Sequence, residues 1–117
     1  MMINHIEDIA GSAEEAAELL ATMANANRLM VLCNLLNNEM AVQPLAEAVG
    51  MNQSALSQQL AKLRALRLVT TRREGRTIYY RLASSKVEQI LEALYGIYCA
   101  PKEVAKAAST KEVVEPA

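Results

Sequence analysis

Two cysteines, a run of arginines and a short polar segment are the parts of this sequence equipped for chemistry or recognition. Seven basic residues, Lys62, Arg64, Arg67, Arg72, Arg73, Arg76 and Arg81, fall between positions 51 and 81 beside one acid, Glu74, for a local net charge of +6. Residues 1–50 carry −6, and the whole 117-residue chain −1. Positive charge concentrated in one stretch and dominated by arginine suits a polyanion, because each neutralised phosphate releases condensed counterions. Upstream of most of these charges, Gln53, Ser54, Ser57 and Gln58 offer amide and hydroxyl groups able to read base edges, Gln pairing with adenine and Ser serving either way. The plainer reading of both features is a solvated polar surface.

Cys33 and Cys99 lie 66 positions apart, too few and too scattered for the disulfide framework of a small secreted domain. Read alone, Cys33 is a small hydrophobe on an apolar helix face, while Cys99 ends a helix ahead of Pro101 and should be reachable. If the two thiols approach, oxidation would tie their helices together. The Cys-X-X-Cys spacing of a dithiol oxidoreductase is missing, and His5 is the single histidine. Neither a His-based triad nor a multi-histidine zinc site can be assembled from one subunit, so no enzyme, metal or cofactor is expected. All four aromatic residues are Tyr, which leaves no Trp or Phe platform for stacking bases. No run approaches the roughly 18 apolar residues of a membrane span, and the acidic start at Glu7 and Asp8 is unlike a signal peptide. These features predict a soluble cytoplasmic protein with no membrane partner.

The elements that must position these groups are readable from periodicity. The length supports one core. Ser12, with Glu15 three positions on, predicts a capping box opening a helix to about Ala24. Asn25 or Asn27 caps a second helix, with Leu29, Leu32, Cys33 and Leu36 on one face, and Asn37 and Asn38 stop it. A short helix over Val42–Val49 tolerates Pro44 in its first turn and ends at Gly50; Asn52 caps the next, which runs to about Arg67. That second helix buries Leu56, Leu60 and Leu63 and shows its polar quartet outward, the helix-turn-helix pattern. From Leu68 the period changes to two: strands Val69–Arg73 and Arg76–Leu82 flank a tight turn at Glu74 and Gly75. A last amphipathic helix spans about Ser85–Cys99. Met23, Met30, Met40 and Met51 are expected to fill the core rather than sense oxidation.

The fold expected is therefore mainly α with a small β-hairpin, a winged helix-turn-helix in α-α-α-α-β-β-α order, between a flexible N-terminus (1–11) and a flexible C-terminal tail (101–117). A single such domain makes few contacts, so a homodimer on a roughly palindromic double-stranded operator is expected, joined through the amphipathic first and last helices. Gln53, Ser54, Ser57 and Gln58 would specify sequence, and Lys62, Arg64, Arg72, Arg73 and Arg76 would hold phosphates.

Asn27-Arg28-Leu29 through Cys33, Gln53-Ser54-Ala55-Leu56-Ser57-Gln58-Gln59-Leu60, Thr71-Arg72-Arg73-Glu74-Gly75, Ile78-Tyr79-Tyr80-Arg81-Leu82 and Leu94-Tyr95-Gly96-Ile97-Tyr98-Cys99 together resemble the ArsR/SmtB family of bacterial winged-helix repressors. The similarity covers roughly residues 15 to 99. The chain departs from the metal sensors of that family: Ala41-Val42-Gln43 stands where a Cys-Val-Cys motif would sit, and residues 85–99 contain no His or Asp. What remains resembles the family's dithiol subgroup, which senses oxidants and persulfides. That resemblance implies a homodimeric repressor whose Cys33 and Cys99 are joined by reactive sulfur species in a disulfide or polysulfide bridge, releasing sulfide-detoxification genes. Its alternatives are a metalloid-responsive repressor using the same cysteines, and a winged helix serving protein contacts only.

Overall fold

A computed structural model describes Glu7 and residues 9–99. His5, Pro101, most of the 1–11 stretch and the 101–117 tail lie outside the described residues. The elements are α1 (Ala13–Met23), α2 (Ala26–Asn34), β1 (Met40–Ala41), α3 (Val42–Val49), α4 (Gln53–Ala65), β2 (Val69–Glu74), β3 (Thr77–Leu82) and α5 (Ser85–Tyr98). Among the described residues no helix is long and apolar enough to cross a membrane.

Among the helices α1 to α5 of the described residues, side-chain caps start three. Asn25 Oδ1 accepts from the Arg28 amide at 3.0 Å, Asn52 Oδ1 from Ala55 at 2.8 Å, and Ser84 Oγ from Val87 at 3.2 Å. Each satisfies an amide the first helical turn leaves open. The capping box expected at Ser12 does not form. Ile9–Gly11 are already helical, the Ser12 amide donates to Ile9 O, and Glu15 pairs instead with Lys86 of α5 at 2.6 Å.

Helices α3 and α4 end in the same way. Met51 and Leu68 amides reach back five residues, to Ala46 O at 3.0 Å and Leu63 O at 2.9 Å, around a left-handed residue. At the first end that residue is Gly50 (φ 72°), which suffers no Cβ clash; at the second it is Arg67 (φ 65°). Arg67 therefore caps α4 from outside rather than extending it, and the helix is two residues shorter than its polar periodicity suggests. The turn is driven by Leu68, which is buried along with Leu63.

The sheet has three strands, ordered β1-β3-β2, all antiparallel. Strand β1 was not expected, since two residues are too few to show alternation; Met40 and Ala41 pair with Tyr80 and Tyr79. The hairpin turn lies at Gly75 and Arg76, one position later than the sequence reading, with Glu74 opposite Thr77 and Gly75 at φ 66°. Val69, Thr71, Arg73, Ile78, Tyr80 and Leu82 consequently share one face, and Thr70, Arg72, Glu74, Thr77, Tyr79 and Arg81 the other.

The core joins all of these elements. Leu56, Leu60 and Leu63 of α4 are fully buried among Val31, Leu32 and Leu35 at α2, Leu45 and Ala46 of α3, Val69 and Leu82 of the sheet, and Val87 and Leu91 of α5. Met23 belongs to this cluster and Met40 and Met51 pack against it, but Met30 is 49% exposed, a correction to its expected role as core filling. Cys33 is likewise exposed: the buried stripe of α2 runs through its neighbours Val31, Leu32 and Leu35.

Candidate nucleic-acid interface and thiol pair

Burial of three leucines on α4 fixes what the helix shows outside. Gln53, Ser54, Ser57 and Gln58 are exposed on its N-terminal half, and Lys62 and Arg64 on its last turns. An open groove of about 480 Å³ separates α4 from the wing, lined by Ser57, Ala61, Arg64, Ala65 and Tyr80. Tyr80 identifies the wing face that looks toward α4. The strand pleat puts Arg73 and its cross-strand partner Ile78 on that same face, nearer the tip, and Arg76 lies in the turn itself.

Arg72 and Arg81 are on the other face. Arg72 is bound to acids, with Nε 2.9 Å from Glu39 and Nη1 3.0 Å from Glu74. Arg81 lines a separate polar hollow with Asn37, Asn38, Glu39 and Glu88. Arg67 faces yet another groove, beside Glu15, Glu18 and Lys86. The seven basic residues that adjoin in sequence are thus divided among three surfaces; Lys62, Arg64, Arg73 and Arg76 remain with the polar quartet. Sequence reasoning missed Glu39 as the partner of Arg72, because the contact spans 33 positions.

Both cysteines are free thiols at the surface. Burial against neighbouring carbon pushes the Cys33 thiol up from its ordinary value, and the charge of Cys99 pushes it further. The sign is that of like charges, a Cys99 thiolate opposing ionisation of Cys33. In Cys99→Ser protein the inflection in the pH profile of Cys33 alkylation should therefore move down, while staying above that of a free thiol because burial remains. An unmoved inflection would place the two sulfurs too far apart to interact. Among the described residues no three His, Cys, Asp or Glu side chains gather as a metal-binding group.

Residues 25–71, from the Asn25 cap into β2, match the family of bacterial regulatory proteins called arsR. The nodulation protein NolR of Rhizobium meliloti is 56% identical over 86 residues, spanning 74% of this chain and 70% of that protein. The chain belongs to the ArsR family. Like other ArsR-family proteins it is a DNA-binding transcriptional regulator and not an enzyme. The transcriptional repressor BigR from Xylella fastidiosa superposes with a TM-score of 0.75 at 44% identity, covering 80% of this chain and 96% of that one. Reduced HlyU from Vibrio cholerae superposes at 0.73 with 43% identity, covering 80% and 98%. These relatives make the present ArsR-family chain a winged helix-turn-helix, with α3 and α4 as the helix pair and the β2–β3 hairpin as the wing.

Proposed function

We propose that this ArsR-family regulator is a cytoplasmic homodimeric repressor that holds operator DNA while Cys33 and Cys99 are unlinked and lets go when reactive sulfur species join them. The observation that supports the switch is a pair of free, exposed thiols, Cys33 on α2 and Cys99 closing α5, with the charge of Cys99 contributing to the raised Cys33 thiol. A persulfide R–S–SH transfers its outer sulfur to one cysteine thiolate, giving Cys–S–SH and R–SH. The second thiolate attacks the sulfur attached to carbon, expels hydrogen sulfide and closes a disulfide; further sulfur transfer before closure leaves a longer bridge. The dithiol has then lost two electrons and two protons. Bridging α2 to α5 restrains the helix that carries Ile97 and Tyr98, part of the dimer surface in this reading.

The dimer reading rests on apolar side chains left in water by the single chain: Leu20 of α1 at 53% exposure, Ile97 and Tyr98 of α5 at 64% and 70%. Large apolar groups grouped on two terminal helices are the usual mark of an interface. On DNA, α4 enters the major groove with Gln53, Ser54, Ser57 and Gln58 at base edges, while Lys62, Arg64, Arg73 and Arg76 hold phosphates.

Mass spectrometry of protein treated with a persulfide donor tests the switch. A bridge of two or more sulfurs between Cys33 and Cys99 is expected, and untouched thiols together with stoichiometric arsenite uptake would favour a metalloid sensor. Operator titrations across salt test the DNA surface. Binding should weaken steeply with salt, and Arg73→Ala should reduce the slope of log K against log salt by about 0.9 for its one lost phosphate contact. A flat response would instead favour a wing that meets protein partners.

A further inference from the structure

Arg72 stands where the wing leaves the body of the protein. Its Nε–H donates to both carboxylate oxygens of Glu39 at 2.9 Å, Nη1 donates to Glu74 Oε1 at 3.0 Å, and its guanidinium carbon lies 4.7 Å from the centre of the Tyr79 ring. The partners come from three places: Glu39 from the chain leading out of α2 into β1, Glu74 from the end of its own strand, and Tyr79 from the strand opposite. Tyr79 is also the last β3 residue, toward the tip, that β1 pairs with, through Ala41. Beyond that level the wing is a two-stranded ribbon whose residues 72–76 are all exposed. Such a ribbon is marginal in water without something to hold it. A planar guanidinium can donate sideways to two carboxylates while its face covers a ring, which the ammonium of lysine cannot do.

We propose that Arg72 is a positioning residue: by bridging Glu39, Glu74 and Tyr79 it sets the angle at which the wing leaves the sheet, and so aims Arg73 and Arg76 at DNA without itself touching a phosphate. Its placement on the face turned away from α4 accords with this. The role rests on the DNA-binding surface described above, yet the clamp exists in the free protein and can be measured there.

Glu39→Gln distinguishes the two roles that Arg72 could play. Freeing a DNA-contacting arginine from an acid, and removing a negative charge, strengthens binding; loosening a clamp weakens it. Reduced protein titrated with operator DNA at several salt concentrations should show Glu39→Gln and Arg72→Lys both weakened about two- to fivefold, the scale of an exposed ion pair. The salt slope of each should match the wild type. Tighter binding by Glu39→Gln overturns the proposal, as does wild-type affinity in Arg72→Lys or a slope reduced by about 0.9 in Arg72→Ala. Hydrogen exchange of the free protein gives the second readout. Amides of Val69–Leu82 should exchange faster in Glu39→Gln and Arg72→Lys, with unchanged protection in α4 showing that the body remains folded. If wing protection is unchanged, the clamp is refuted; if operator binding by the wild type shows no salt dependence, the DNA surface fails and wing exchange alone decides the clamp.

Discussion

Cys33→Ser protein should stay on operator DNA through a persulfide treatment that strips off the wild type. Couplings between distant sites in proteins are commonly worth about 5- to 150-fold in affinity, so treated wild type should weaken within that range and the variant by less than about twofold. Serine has no sulfur to bridge, and the exposed position of Cys33 on α2 makes the change harmless to the core. Reduced Cys33→Ser should accordingly bind DNA as the reduced wild type does, which separates loss of switching from loss of binding. Cys99→Ser should behave alike, since a bridge needs both ends. Release of DNA by the treated Cys33→Ser variant would end the paired-thiol mechanism. The raised Cys33 value bears on the rate: less of this thiol is ionised near neutral pH than of a free cysteine, and the thiolate is the reacting form. Switching should accordingly accelerate as pH rises.

Leu60→Ala should cost about 2–5 kcal/mol of unfolding free energy, read from urea denaturation at fixed protein concentration. Leu60 is fully buried at the centre of α4, within the cluster that joins α2, α3, the sheet and α5. Removing its isobutyl end leaves a cavity bordered by side chains from several elements, none of which can move in without dragging its own backbone. Total stabilities of about 5–15 kcal/mol make this a large fraction, and the recognition surface on the outer side of the same helix should lose order with it. Lys62→Ala, two positions away and exposed, should change stability by no more than about 0.5 kcal/mol. A Leu60→Ala cost under 1 kcal/mol would contradict the packing around α4.

The helices were legible because their signals are local. Asn25 and Asn52 act within three residues of themselves, and the 56, 60, 63 spacing marks a buried stripe whatever lies across from it. Two misreadings arose where the surroundings overrode a local signal. Ser12 carried the right residue types for a capping box, but helical backbone before it and Lys86 opposite Glu15 removed the need. Arg67 reads as one more basic helix residue, yet burial of Leu68 forces it into the left-handed conformation that ends the helix. The hairpin was recognised with its turn one position early. That slip matters because cross-strand partners follow from the turn: Gly75 and Arg76 at the bend place Tyr79 opposite Arg72.

By itself the amino-acid order determined which stretches coil, which one pairs as a hairpin, that positive charge gathers between positions 51 and 81, and that two cysteines are present to react. Each of those depends on residues a few positions apart or on counting. Only the tertiary structure decided that the arginines separate onto three surfaces, that Arg72 is held by Glu39, and that Cys33 feels the charge of Cys99. The Arg72–Glu39 contact joins residues 33 positions apart, and what brings them together is the burial of a shared apolar core, which specifies distances across the molecule that no local pattern encodes.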